Sequence, residues 1–341
     1  MGIFGLGIGL TRLLLWLLLL LAVAWGAAAL WIDGPAARWL AGLLAAGYVA
    51  LSLALVIRIR VFRGGFVAAL VPFAAVLVWW LSIPASNDRN WLADVARPPV
   101  AEIRGNLVTV RNIRNFEYRS SDTDFVEHWD TRTYDLDQLV GVDLFLSYWG
   151  PTLIAHTIMS WEFADGSQLA ISIETRKEKG EEYSAVLGFF RQFELYYVVA
   201  DERDVIGVRT DHRGEQVFLY RLRMPVDRAR ALLLRYLEEA NRIARQPVWY
   251  NALTLSCTTT ITHNVAAIGP AMAFDWRILA NGRLDELLYQ RGAINTALPF
   301  PELRSRSDIT AKSKAAGAAA DFSRRIREGL PDRPSRPKPA G

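Results

Sequence analysis

LIAHTIMSWEFADGSQLAISIETRK, residues 153–177, is the stretch on which the fold turns. Two runs rich in β-branched and aromatic residues flank Ala164, Asp165, Gly166 and Ser167, and an Asp-Gly pair between such runs is a strong hairpin signal. The loop length decides which side chains meet. With a three-residue loop, Ala164 pairs with Gln168 and His156 shares a face with Glu174. A two- or four-residue loop puts Thr175 on that face instead.

Working outward, residues 107–119, 139–149, 196–200 and 217–224 read as further strands, and the polar run 120–136 as a loop with a turn. Helical spacing is found near residues 183–193 and most clearly over 226–244. There Ala229, Leu232, Leu233, Tyr236, Leu237, Ala240 and Ile243 form one apolar face. Residues 270–279 and 284–290 also read as helical. Strands mixed with helices in this order predict an α+β domain.

Ahead of that domain lie three apolar segments, residues 13–32, 39–57 and 66–83. Each has about 18–20 residues, enough to cross a ~30 Å hydrocarbon core as helix. Their length and number argue against a cleaved signal peptide. Arg58, Arg60 and Arg63 fall between the second and third segments, whereas Asp33 is balanced by Arg38 between the first two. The positive-inside rule then puts the N-terminus in the cytoplasm and everything from Pro84 onward outside, with Trp79, Trp80 and Trp91 near the outer interface. The expected organisation is a three-helix transmembrane anchor at 1–83, a linker at 84–100, a soluble domain at 101–304 and a basic, Ala/Pro-rich disordered tail at 305–341.

Composition narrows the chemistry. Net charge is +4, concentrated in the Arg58–Arg63 loop and the final residues, which fits membrane topology better than a nucleic-acid surface. One cysteine and four scattered histidines supply no zinc cage, and no Walker loop or GxGxxG is present. No metal or cofactor is expected.

The single cysteine, Cys257, lies in WYNALTLSCTTTITHNV, residues 249–265. A lone thiol is either a small buried hydrophobe or a reactive group. Ser256 is suited to cap a helix starting at Cys257, which would set the sulfur in the first turn, where backbone N–H groups and the helix dipole favour a thiolate. Thr258, Thr259, Thr260, Ile261 and Thr262 are β-branched, so such a helix needs tertiary support.

A nucleophilic cysteine needs a base, and the base an orienting group. His263 follows by six residues, about 240° around a helix, and points elsewhere. His128 and His212 fall in polar stretches. His156, inside an apolar strand, is the candidate base, and Glu174 the candidate third member. The Cys257 backbone N–H would serve an oxyanion hole, with Tyr250 or Asn251 as the candidate second donor.

RNFEYRS, the run VDLFLSYWGPTLIAHTIMSWEFADGSQLAISIETRKEKGEEYS, GFFRQFELYYVVADERDVIGVRT and WYNALTLSCTTTI together resemble the Lnb N-terminal periplasmic domain family, over about residues 110–290. The resemblance implies a fold like the permuted NlpC/P60 or papain-like thiol enzymes, with the His strand ahead of the Cys helix. It also implies an activity similar to lipoprotein N-acyltransferases, which move an acyl chain from a phospholipid onto a lipoprotein amine. The AHT motif then carries the base onto His156, SCTT the nucleophile onto Cys257, and IETRK points to Glu174. The expected setting is the bacterial inner membrane with a periplasmic catalytic domain. The competing readings are a thiol hydrolase of amide or peptide bonds, and a non-catalytic membrane-anchored module.

Overall fold

The computed structural model describes residues 2–58, 62–269 and 273–333, which fall into two compact units. The first comprises residues 1–86 together with 183–193. It holds three apolar helices, α1 (Gly2–Ile32), α2 (Arg38–Arg58) and α3 (Phe62–Ser82). In α1 and α2, the stretches Leu10–Ile32 and Arg38–Ile57 are long and apolar enough to cross a membrane. The apolar part of α3, Phe66–Ser82, is shorter, so the expected third crossing is not established by length. Arg60, in the Arg-rich loop, lies outside the described residues. The expected helix at 183–193 is only a 3₁₀ turn at Leu187–Phe189, and this segment packs with the apolar helices, Phe190 stacking on Trp25. Its apolar spacing reflects that contact rather than a helical face.

The second unit, residues 87–182 and 194–341, is built on one large sheet. Its strands are β1 (Val100–Arg104), β2 (Leu107–Arg114), β3 (Glu117–Ser121), β4 (Asp124–Val126), β5 (Trp129–Asp135), β6 (Leu139–Tyr148), β7 (His156–Phe163), β8 (Gln168–Arg176), β9 (Glu194–Ala200) and β10 (Gln216–Arg221). The order across the sheet is β1-β2-β9-β8-β7-β6-β10, with β5 also paired to β2 and β3-β4 forming a separate ribbon. All pairings are antiparallel except β2 with β9. The stretch expected to be a polar loop therefore contains β4 and β5. Their polar side chains mark half-exposed strands, not loop.

The central β7–β8 hairpin turns as the Asp165-Gly166 signal predicts, with Gly166 at φ +84°. Phe163 N–H donates to the Ser167 carbonyl at 3.0 Å, leaving a three-residue loop, Ala164, Asp165 and Gly166. Glu162 pairs with Gln168, so the register sits two residues from the Ala164–Gln168 pairing expected. A shift of two preserves facing, and His156 still shares a face with Ser172 and Glu174.

Both faces of this hairpin are buried, which is why its strands read as continuous apolar runs. Helices cover each side: α4 (Glu202–Gly207), α5 (Val226–Arg245), α6 (Cys257–Ala267), α7 (Leu284–Gln290), α8 (Phe300–Ser307), α9 (Thr310–Ala316) and α10 (Phe322–Arg325). On one face α5 lays down the predicted apolar stripe. Trp161 donates its indole N–H to the Ala229 carbonyl at 2.9 Å, and Tyr236 meets the edges of Trp161 and Tyr197. On the other face Ile158, Ala170, Val198 and Ala200 pack with Val205 and Ile206 of α4 and with Ile309, Phe322 and Ile326 from the C-terminal segment.

That last contact corrects the expected tail. Residues 305–330 are not a disordered extension, because a few apolar side chains among many Ala, Lys and Arg suffice to close the second face of the sheet. Arg327 also reaches across it to Asp143 at 2.9 Å and Glu202 at 2.6 Å, both fully buried. The linker is likewise part of the domain from Asn87 onward, with Trp91 and Val95 buried in the same core, so Trp91 does not belong to an aromatic belt. Residues 270–279 contain only a 3₁₀ turn, Trp276–Ile278, and 270–272 lie outside the described residues.

Candidate active site

Helix α6 starts where Ser256 predicts. Its hydroxyl accepts from the Thr259 N–H while the Thr259 hydroxyl accepts from the Ser256 N–H, a closed capping box. Tertiary support for the β-branched run comes from Asn281. Its side-chain N–H donates to the Thr258 hydroxyl at 2.5 Å and to the Ala155 carbonyl at 2.6 Å, while its oxygen accepts from the Ala155 N–H at 2.9 Å. Asn281 thus ties the residue before His156 to the residue after Cys257. The approach is so close that Gly282 has no room for a Cβ, which would lie 2.1 Å from the Thr152 carbonyl.

This fastening brings the half-buried Cys257 thiol into hydrogen-bond contact with the His156 imidazole. The Nε2 atom of that ring lies 2.6 Å from the Ser172 hydroxyl, which donates in turn to Glu174 Oε1 at 2.7 Å. Since Ser172 spends its proton on the carboxylate, Nε2 must carry the ring hydrogen, which leaves Nδ1 for the sulfur. Glu174 Oε1 is itself 3.6 Å from Nε2. Behind it the buried Arg209 forks between Glu174 and Glu215, each at 3.0 Å, and Ser147 donates to Glu215 at 2.5 Å. Arg209 sits on the π-turn Val208–His212 that continues α4, a distortion often found at functional sites.

The electrostatics follow from these contacts. Burial alone would push the Cys257 thiol up, but the hydrogen bond and charge of His156 outweigh it and hold the thiol at about 6. Burial and the charge of Arg209 both work against protonating His156. The hydrogen bonds to Cys257 and Glu174 overcome them, and the imidazole is held above its ordinary value. Burial likewise opposes ionisation of Glu174, yet the His156 hydrogen bond and the Arg209 charge hold its carboxyl well below the usual range. These shifts favour the thiolate of Cys257, the protonated imidazole of His156 and the ionised carboxylate of Glu174.

Cys257, His156 and Glu174 thus meet in one cluster. The side chain of Asn251 does not turn to the sulfur. Its oxygen accepts from Leu253 N–H, Thr254 N–H and the Thr254 hydroxyl, closing its own turn. Tyr250 is buried. The amide that reaches the sulfur is instead Asn281, at 4.0 Å. Ser172 was within reach of sequence reasoning, two residues before Glu174 and so on its face of the strand. Asn281, Arg209 and Glu215 carry no spacing that would single them out.

A pocket of about 380 Å³ lies between α5 and α6, lined in part by Leu195, Tyr197, Arg235, Thr260 and Asn264; Cys257 is not part of its lining. Thr260 and Asn264 follow Cys257 by three and seven residues, on its side of the helix. The Thr260 hydroxyl is buried without a hydrogen-bond partner among the described residues. Among those residues no group of three His, Cys, Asp or Glu is placed to hold a metal ion.

The match to known families takes in this whole cluster. Residues 125–282 match the Lnb N-terminal periplasmic domain. The Lnb-like segment begins in β4 and ends one residue past Asn281, so it contains the nucleophile candidate, the imidazole, the relay serine, both carboxylates and the amide that fastens them. Together with the two apolar helices it fits a membrane protein with a periplasmic domain. No curated protein and no solved structure matches the chain.

Proposed function

We propose that this is a membrane-anchored cysteine acyltransferase that moves an acyl group from a phospholipid to a lipoprotein amine through a thioester on Cys257. The observation that carries the reading is a thiol beside an imidazole whose far nitrogen is already engaged by Ser172 and Glu174, an arrangement that lowers the thiol. The anionic sulfur attacks the donor's ester carbonyl, a C–S bond forms and the C–O bond breaks, and the imidazolium gives its proton to the departing oxygen. The acceptor amine then attacks the thioester, the imidazole takes the amine proton, and the thiolate leaves. Unpaired N–H groups in the first turn of α6 are available for the oxyanion.

The base strand precedes the nucleophile helix, the order of permuted NlpC/P60 and papain-like thiol enzymes. Leu153, Ile154 and Leu253, exposed in the loops that precede His156 and Cys257, suit an acyl chain better than a muropeptide. The anchor would lie in the inner membrane with its N-terminus in the cytoplasm, Arg58, Arg60 and Arg63 on the inner side, and α3 as a third crossing. Mass spectrometry of lipoprotein N-termini from cells carrying Cys257→Ser or His156→Gln tests the reading. Loss of N-acylation is expected; unchanged acylation refutes it, and release of peptide from muropeptides by the purified protein would favour a hydrolase.

A further inference from the structure

The approaches to the thiol are apolar and outward-facing. Leu153 and Ile154 are each 52% exposed in the loop before His156, and Leu253 is 58% exposed in the loop before Cys257. Phe274 at 76%, Trp276 at 51% and Leu279 at 52% stand in the loop that leads to Asn281. These are not slack segments. Gly282 N–H donates to the Leu153 carbonyl at 3.0 Å, and Asn281 clamps Ala155 to Thr258. The loop of Leu253 is closed by the Asn251 turn and a 2.9 Å bond from Leu255 N–H to the Asn251 carbonyl. Three fastened loops next to the segments of His156, Cys257 and Asn281 thus hold large apolar side chains in water, a kind of exposure that marks interaction surfaces.

We infer that these loops form an interfacial surface that inserts into a lipid layer, so that the site draws on a bilayer rather than on solution. Three features select lipid as the occupant. Trp276 and Phe274 are residue types that settle at a membrane interface. The rim is basic: Arg283, 54% exposed, stacks over Trp276 at 6.0 Å, and Arg291 is exposed as well. Asp275 is paired with Arg277 at 2.8 Å and Glu286 with Arg283 at 3.9 Å, which leaves the rim one net positive charge, that of exposed Arg291, to meet anionic headgroups. Finally, the same chain carries two helices apolar and long enough to cross a membrane, which tether this unit near a lipid surface. The inference deepens the acyl-transfer reading and rests on it only for what is drawn from the lipid.

Insertion is measurable without turnover. The full chain carrying Cys257→Ser and Phe274→Cys is labelled with an environment-sensitive fluorophore. It is reconstituted at one chain per nanodisc, in neutral and anionic phospholipid, with or without lipids bearing a nitroxide on a shallow acyl carbon. The same label at Thr131→Cys, exposed on β5, is the reference. The Phe274 label should emit to the blue and be quenched several-fold more than the Thr131 label, and Leu253→Cys should repeat the result if Phe274→Cys disturbs its loop. Water-like emission and equal, weak quenching at Phe274 and Leu253 would overturn the inference. So would a signal that arises only with two chains per disc, which would assign the patch to a second copy. Because the nucleophile is absent in these variants, failure of acyl transfer leaves the result untouched.

Discussion

Replacing His156 with glutamine should abolish the low inflection of the Cys257 thiol. In the wild-type chain the sulfur is held at about 6 against an ordinary value of 9.0, and the force that lowers it is the hydrogen bond and charge of this imidazole working against burial. Without the imidazole, only the weaker hydrogen bonds of Thr157 and Thr258 still oppose burial, and the inflection moves up to near the ordinary 9.0. At pH 7 the thiolate fraction falls from roughly nine-tenths to about one in a hundred, a loss of about ninetyfold. A more basic thiolate is also more nucleophilic. With a Brønsted coefficient of about 0.4–0.5, this returns about sixteen- to thirtyfold in disulfide exchange, so the net slowing at pH 7 is only about three- to sixfold. At pH 5 the same arithmetic gives about thirty- to sixtyfold. The assay is the rate of reaction with an aromatic disulfide between pH 4 and pH 10, unambiguous because the chain has one cysteine. The urea-unfolded protein, with an inflection near 9, serves as control. Wild-type and His156→Gln profiles that both inflect near 9 would refute the thiolate–imidazolium pair and with it the case for a nucleophile.

Ser172→Ala should raise the same inflection by less, and slow any acyl transfer about ten- to a hundredfold, as expected for one lost hydrogen bond to a charged group; a Ser172→Thr variant should recover much of it. Asn281→Ala leaves the Ala155 backbone and the Thr258 hydroxyl unpaired in a buried place. It should cost about 2 kcal/mol, read as a fall of about 4–8 °C in Tm, together with a slower thiol reaction at pH 6. Arg327→Ala leaves the buried carboxylate of Glu202 without its cation and Asp143 with Arg333 and Arg221 alone. It should destabilise the periplasmic unit by about 3–5 kcal/mol in chemical denaturation, far more than Arg324→Ala on the exposed face of α10.

What the sequence made legible was whatever depends on local pattern. The β7–β8 turn is specified by Asp165-Gly166, the α5 stripe by its 3.6-residue period, and the α6 start by Ser256. The facing of His156 and Glu174 needed only the parity of the loop, so it survived a register two residues away from the one expected. Contacts between distant segments were not legible. Arg209 reaches Glu174 across 35 residues and Asn281 reaches Ala155 across 126, and neither separation leaves a periodicity to detect. The C-terminal helices were hidden by composition, because Ile309, Phe322 and Ile326 are diluted among Ala, Arg and Lys. The 183–193 segment misled in the opposite direction, its apolar residues being spent on a neighbour rather than on a helix of its own.

Arg327 joins Asp143 across 184 residues of chain. Until that guanidinium arrives, Glu202 on α4 lacks its cation and Asp143 on β6 one of its own, and the face that α4 covers still lacks Ile309, Phe322 and Ile326. Maturation of the thiol's surroundings is thereby deferred to a late moment in biogenesis. A chain stopped before Ile309 would leave that face of the sheet half open, a state that limited proteolysis would distinguish from the full chain.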